Sequence, residues 1–236
     1  MAYQAVFQRH ELKYLLTRSQ KGRILECIQP YMSLDKYGRT TIRNIYFDTE
    51  NYRLIRRSIE KPVYKEKLRV RNYKSKHSDG NVFVEIKKKY NKVVYKRRIS
   101  LAEDEAISWL TGESECAVES QIVKEIDYFR NFYGELKPAL FLSYEREAYY
   151  CKDGGDFRVT FDENILCRQE NMNFYTESSG IPVLEEDKVL MEIKCSGGIP
   201  LWMTEILSKE KIYKTPFSKY GTAYQRIIYP KLKGER

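Results

Sequence analysis

Lys65, Lys67, Arg69 and Arg71 hold alternate positions of one short run, with Leu68 and Val70 between them. Successive side chains of a strand point to opposite faces, so this run offers a row of cations on one side and a partly apolar surface on the other. The pattern recurs along the chain. Glu85, Lys87 and Lys89 alternate with Val82, Val84 and Ile86, and Lys96 and Arg98 oppose Tyr95 and Ile99. Arg9, Glu11 and Lys13 alternate with Leu12 and Tyr14, and Glu192 and Lys194 with Met191 and Ile193. Arg146 and Arg158 fall in two further strand-like runs, 141–150 and 157–161. Arginine grips phosphate through a planar fork, and lysine supplies a mobile point charge. The sparse carboxylates Glu11, Glu85 and Glu192 are hard oxygen donors of the kind that suits Mn²⁺ or Mg²⁺. The chemistry on offer is the binding and transfer of phosphoryl groups, which needs in-line positioning and charge cancellation more than covalent help.

A half-exposed antiparallel sheet with its charged face in water would explain any one of these runs. It explains the whole set less well, because like charges aligned on one face destabilise a sheet unless counter-charges are present. The alternative is a closed or nearly closed antiparallel barrel, α+β in class, with a charged interior and helices packed on its apolar outside. Roughly eight strands enclose a lumen wide enough for one narrow ligand. A lumen walled by cations selects an extended, repeating anion. No aromatic residue interrupts the basic positions of residues 65–71, whereas binding of nucleic-acid bases needs stacking platforms. Naked phosphate is therefore the expected partner, and nucleic acid is not.

The elements that must position these residues are set in a chain of 236 residues with a net charge of +9, 42% apolar and 32% charged. That is too apolar for a disordered chain, and no run approaches the roughly 20 apolar residues of a spanning helix. The N-terminal residues lack the apolar core of a secretory signal. Five scattered cysteines and two histidines give neither a zinc site nor a disulfide framework, so a reducing, cytoplasmic setting is expected. No repeat or linker divides the chain, which predicts a single domain over 1–236. Helices are expected from Thr17 or Ser19 to Gln29, over 118–133, over 101–110 and 200–208, and over 220–229 ending before Pro230. Residues 169–187 read as a polar surface loop and 74–80 as a hairpin connection. Gly197 and Gly198 lack phosphate-loop spacing and read as a tight turn.

A set of segments then runs in order through almost the whole chain. They are Arg-His-Glu-Leu-Lys-Tyr at 9–14, Ile-Tyr-Phe-Asp-Thr at 45–49, Lys-Leu-Arg-Val-Arg at 67–71 and Val-Phe-Val-Glu-Ile-Lys at 82–87. Lys-Arg-Arg at 96–98, Arg-Val-Thr-Phe-Asp at 158–162, Val-Leu-Met-Glu-Ile-Lys at 189–194 and Ser-Lys-Tyr-Gly at 218–221 complete it. Together they resemble the VTC (vacuolar transporter chaperone) polyphosphate polymerases, a branch of the triphosphate tunnel superfamily. The resemblance implies a β-barrel tunnel, ATP as phosphoryl donor, inorganic polyphosphate as product and a divalent metal, manganese before magnesium. It implies Lys13, Arg69, Arg71, Lys87, Lys96, Arg146, Arg158 and Lys219 as the catalytic phosphate-holding set. Lys67, Arg98, Lys194 and Ser218 are implied as further phosphate or ATP contacts, and Glu192, with Glu11 and Glu85, as metal ligands. The chain end of a growing polymer would attack the γ-phosphorus and ADP would leave. That nucleophile is already anionic, so His10 and His77 have no catalytic role. The superfamily's triphosphatases open with an alternating Glu-x-Glu-x-Lys, and here Arg9 replaces the first glutamate. That departure favours the polymerase over a triphosphate or polyphosphate hydrolase. A non-enzymatic polyphosphate-binding module is the third reading. Any attachment to the inner face of a membrane would be made through a separate membrane protein, and the oligomeric state is left open.

Overall fold

The computed structural model describes residues 10–74, 80–91 and 93–234. Arg9 and His77 lie outside the described residues, as does most of the 74–80 connection. Ten strands form one antiparallel sheet. They are β1 (His10–Thr17), β2 (Met32–Leu34), β3 (Thr40–Asp48), β4 (Tyr64–Lys74), β5 (Asn81–Tyr90) and β6 (Val93–Ala102), followed by β7 (Lys137–Cys151), β8 (Arg158–Arg168), β9 (Ile181–Pro182) and β10 (Lys188–Cys195). The main path runs β1-β10-β8-β7-β3-β4-β5-β6, with β2 added on β7 and β9 on β8.

The sheet curls into a broadly barrel-like form without closing through strand pairing. Lys87 of β5 nevertheless reaches Glu11 of β1 at 3.3 Å, although several strands separate them along the sheet. The free edge of β1 is occupied by the segment before the C-terminal helices. There Tyr14 bridges Lys214, and the Thr215 amide donates to the Lys13 carbonyl at 2.7 Å. A few residues on, Ser218 Oγ meets Lys67 Nζ of β4 at 3.1 Å. Side chains and one irregular segment thus complete what the backbone ladder leaves open.

The first five helices are α1 (Arg18–Ile28), α2 (Arg53–Ile59), α3 (Glu103–Thr111), α4 (Gln121–Tyr133) and α5 (Leu201–Lys209), and α1, α3 and α4 carry clear local end signals. Thr17 and Gln20 form a reciprocal capping box at α1, satisfying two otherwise orphaned amides. Ser120 caps α4, which therefore begins three residues later than the periodicity from Val118 suggests. Gly112 ends α3 at φ +88°, a conformation that favours glycine. Helix α2 has no counterpart among the sequence expectations. It is only seven residues long, and its start is held from a distance: the Asp48 carboxylate accepts from the amides of Thr49, Leu54 and Ile55 at 2.9–3.0 Å.

The apolar faces of the strands pack under helices on the outside, as alternation requires. Trp109, Ile126 and Phe129 of α3 and α4 cover Ile45, Val70 and Val84, while Ile24, Ile28 and Met203 of α1 and α5 cover Phe161, Met191 and Ile193. The C-terminal end differs from expectation. The predicted stop before Pro230 is replaced by α6 (Lys219–Ala223), a π turn (Tyr224–Ile228) and α7 (Tyr229–Gly234). The wider turn sets in just ahead of the proline, whose missing N–H interrupts the α-helical ladder. Tyr220 and Tyr224 pack with Tyr46, Leu140, Leu142 and Leu190, which share the inner face of the sheet, so this C-terminal segment lies against the concave side. Residues 169–187 also depart from a plain surface loop. Ile181–Pro182 joins the sheet, Phe174 and Val183 are buried, and Arg168 ties the loop together by bonding the carbonyls of Asn171, Glu177 and Ser179.

Candidate functional site

Register decides which side chains share the inner face. Lys13 lies opposite Glu192, Glu192 opposite Thr160, and Lys194 opposite Arg158. Arg69 lies opposite Glu85, Glu85 opposite Arg98, and Lys87 opposite Lys96. The basic rows read from the sequence therefore do converge on one concave wall. Arg97 points the other way, toward Glu125 of α4 at 4.0 Å, so the inner positions of β6 are Lys96 and Arg98. His10, next to Glu11, takes the outward side of β1 by the same alternation.

Beside α6, Asp162 of β8 is fully buried. Arg146 forks onto it with Nε–Oδ1 2.5 Å and Nη2–Oδ2 2.6 Å, and Lys219 Nζ reaches Oδ2 at 2.5 Å. Glu192 stands beside it, within 3.2 Å of Lys219 Nζ, 3.5 Å of Lys13 Nζ, 3.5 Å of Arg146 Nη2 and 3.7 Å of Lys194 Nζ. Burial alone would push the Glu192 carboxyl up. Lys219, Lys13, Arg146 and Lys194 outweigh it and hold the group well below the carboxylate range. The Lys219 ammonium is raised in turn: burial works against its charge, and Asp162 and Glu192 more than offset that.

Lys219 is placed by two of the motifs noted in the sequence, which the fold brings together. Ser218 caps α6 by accepting from the Gly221 amide at 3.2 Å. Tyr220 donates to Asp48 Oδ2 at 2.9 Å and stacks on Tyr46 at 4.7 Å between ring centroids. A Cβ at residue 221 would stand 3.2 Å from Ser218 Cβ and Oγ and crowd the capping serine. Asp48 therefore starts α2 and holds α6 with one carboxylate.

A second cluster surrounds Glu85, which is 1% exposed. Arg69 donates to it from Nε and Nη2 at 2.9 and 2.7 Å, Lys96 lies 2.5 Å away and Arg71 3.7 Å. Arg69 is braced by Tyr46 Oη at 3.1 Å, and Arg71 by Asn44 Oδ1 at 3.0 Å and Tyr73 Oη at 3.2 Å. Glu11 forms a third point, 3.3 Å from both Lys13 and Lys87. Among the described residues, Lys67, Arg98 and Arg158 have no carboxylate within ion-pair distance. Lys67 bonds only the Ser218 hydroxyl among the described contacts, Arg158 lies over Tyr150 and Arg98 over Phe83 at 4.5 and 4.7 Å from the ring centroids.

The three glutamates expected to bind metal do not meet. Glu11 and Glu192 are linked through Lys13, whereas Glu85 stands apart with its arginines. Among the described residues, no three metal-ligating side chains cluster. Two hard carboxylates on neighbouring strands suit a divalent cation when phosphate oxygens supply the other ligands, so Glu11 and Glu192 fit such an ion and Glu85 has no partner for it. Asp162, Asp48, Tyr46 and Asn44 carry no role in the sequence reading. Asp162 could have been found, since it shares strand parity with Arg158 and belongs to the same segment.

Lys67 gives the wall a pH signature. Burial first, and then Lys13, Lys87, Lys65 and Arg69, push its ammonium down to about 7 from an ordinary 10.5. A lysine lowered in the folded state binds fewer protons there than in the unfolded chain. This group therefore destabilises most at low pH, and its contribution to stability rises between about pH 7 and 10.5. A bound phosphate chain favours the charged form. Tripolyphosphate binding at pH 8.5 should then take up protons, read from titration heats in buffers of different ionisation enthalpy, and proton release would contradict the assignment.

A barrel-like antiparallel sheet whose concave wall is lined by arginine and lysine, with helices outside, is a triphosphate tunnel fold. The solved structures it is similar to agree. A candidate adenylate cyclase from Bacillus halodurans superposes with a TM-score of 0.56 at 16% identity, covering 94% of this chain and 97% of that one. A candidate adenylyl cyclase from Hippeastrum, described as having a dominant triphosphatase activity, gives 0.54 at 15% identity over 91% and 94%. No curated protein matches the chain significantly in sequence. Residues 8–228 match the VTC domain model, and the chain belongs to the VTC domain family. Family and fold together support an activity on polyphosphate or triphosphate. No helix among the described residues is long and apolar enough to cross a membrane.

Proposed function

We propose that the chain is a polyphosphate polymerase that transfers the γ-phosphate of ATP to the end of a growing inorganic polyphosphate chain and releases ADP. The observation that carries this reading is that, among the described residues, the acids set among the wall's cations are all ion-paired. Glu11, Glu85, Asp162 and Glu192 each lie within 4.0 Å of at least one lysine or arginine, so none stands free as a base for water. A phosphate oxygen needs no base. Arg69, Arg71, Lys87 and Lys96 would hold one stretch of phosphates, and Lys13, Arg146, Arg158, Lys194 and Lys219 the other. Preorganised cations aimed at transferring oxygens supply most of the help that phosphoryl transfer takes from a protein. Glu11 and Glu192 would hold Mn²⁺ or Mg²⁺, which neutralises charge on phosphate oxygens when bound. Residues 1–236 would act as one catalytic unit in the cytoplasm, with any link to a membrane made by another protein.

Incubation with ATP and Mn²⁺ should release ADP matched by long-chain polyphosphate with little free phosphate. Free phosphate without chains would move the assignment to a hydrolase, the activity named for the Hippeastrum neighbour. Tight polyphosphate binding with no turnover would leave a binding module.

A further inference from the structure

Across the sheet from the tunnel lies a cavity that the phosphate-holding wall does not use. Asn44 and Leu142 face the lumen, so their neighbours Arg43 and Ser143, directly paired across β3 and β7, face outward, with Leu166 of β8 opposite Ser143. With Ser178 of the covering loop they line a cavity of about 440 Å³, whose other walls include Thr41, Asn164 and Glu177. Three buried polar atoms in it lack a partner: Arg43 Nε, Ser143 Oγ and Ser178 Oγ. Arg43 is 5% exposed and Ser143 1%. The guanidinium bonds the Phe174 carbonyl and, among the described residues, forms no ion pair within 4.0 Å.

Glu103 and Glu177 only partly offset the burial of this guanidinium, which forms no close pair to repay its desolvation, and a buried hydroxyl without a partner has lost the hydrogen bonds water would give it. One guanidinium N–H beside two hydroxyls is a donor set for a compact oxyanion. We propose that this outer cavity binds a small tetrahedral oxyanion, orthophosphate or the phosphate of a small monoester, on Arg43, Ser143 and Ser178. The acidic wall argues against an extended polyanion. Glu145 is paired with Arg39 at 2.7 Å and bonded by Asn164 at 3.0 Å, and Glu177 faces the same space. Repulsion from these two carboxylates grows with every phosphate added, so a single phosphate is favoured over a chain. The tunnel takes the polymer and the outer cavity takes the monomer.

Orthophosphate titrated into isotope-labelled protein should shift the Leu166 methyl and Ser178 amide signals saturably. These probes report the cavity whatever the tunnel binds or does. Ser143→Ala removes an unbonded hydroxyl and should weaken the response roughly tenfold. Ser178→Ala, on the loop, should do the same while leaving the fold intact. The proposal is overturned if the cavity signals ignore orthophosphate, or if both variants respond as the parent does. An equal response to acetate would overturn the assignment to a tetrahedral anion.

Discussion

Replacing Lys67 with methionine should stabilise the free protein while nearly abolishing turnover. The two effects share one cause. Lys67 projects from β4 into a wall that already holds Lys13, Lys87, Lys65 and Arg69, and these neighbours together with burial disfavour its charge. Its contact is the uncharged Ser218 hydroxyl. Methionine keeps most of the length of the side chain and removes the repulsion, so chemical denaturation at pH 7 should show a gain on the order of 1 kcal/mol. A cation left uncompensated in the free protein is available to phosphate, and losing one preorganised donor to a transferring group costs about 10²–10³-fold in rate. A more stable variant with normal ATP turnover would remove Lys67 from the site. A less stable one would show that its charge is compensated.

Asp162→Ala is the opposite experiment. This carboxylate takes both bonds of the Arg146 fork and the closest approach of Lys219. Without it, two buried cations are left to share Glu192 with Lys13 and Lys194. Breaking a buried ion pair by deleting one partner costs about 3–5 kcal/mol, and the loss should appear as a lower denaturation midpoint. Tripolyphosphate should restore part of it, because ligand anions can take the place of the missing charge. A midpoint unchanged from the parent would mean that Arg146 and Lys219 find other partners.

The concave wall was largely legible in the sequence because strand parity is rigid. Lys67, Arg69, Glu85, Lys96 and Arg98 fall where alternation puts them, and the pairing register fixes Lys96 and Arg98 on the wall with Arg97 on the other face. What alternation could not supply was contact between distant segments. Asp48 reads as the end of a strand, and its three amide partners and Tyr220 become visible only when β3, α2 and α6 are packed together. Helix α2 is hidden for the same reason, since a short helix fixed by a side chain preceding it leaves little periodic trace. The loop over 169–187 is polar by composition, yet two apolar residues, Phe174 and Val183, and one arginine anchor it. The separation of Glu85 from Glu11 and Glu192 also depends on how the sheet curls, which no local pattern records.

The dependence of α6 on Asp48 has a consequence for how the molecule is made. Of the residues that build the wall, Lys219 comes last in the chain, so a ribosome delivers it after both acids that it neutralises. A nascent chain that has emerged through β10 already contains Asp162 and Glu192 but lacks one of their closest cations. Only when Tyr220 finds Asp48 does that cation arrive. The contact that finishes the site also finishes the electrostatic balance of the interior.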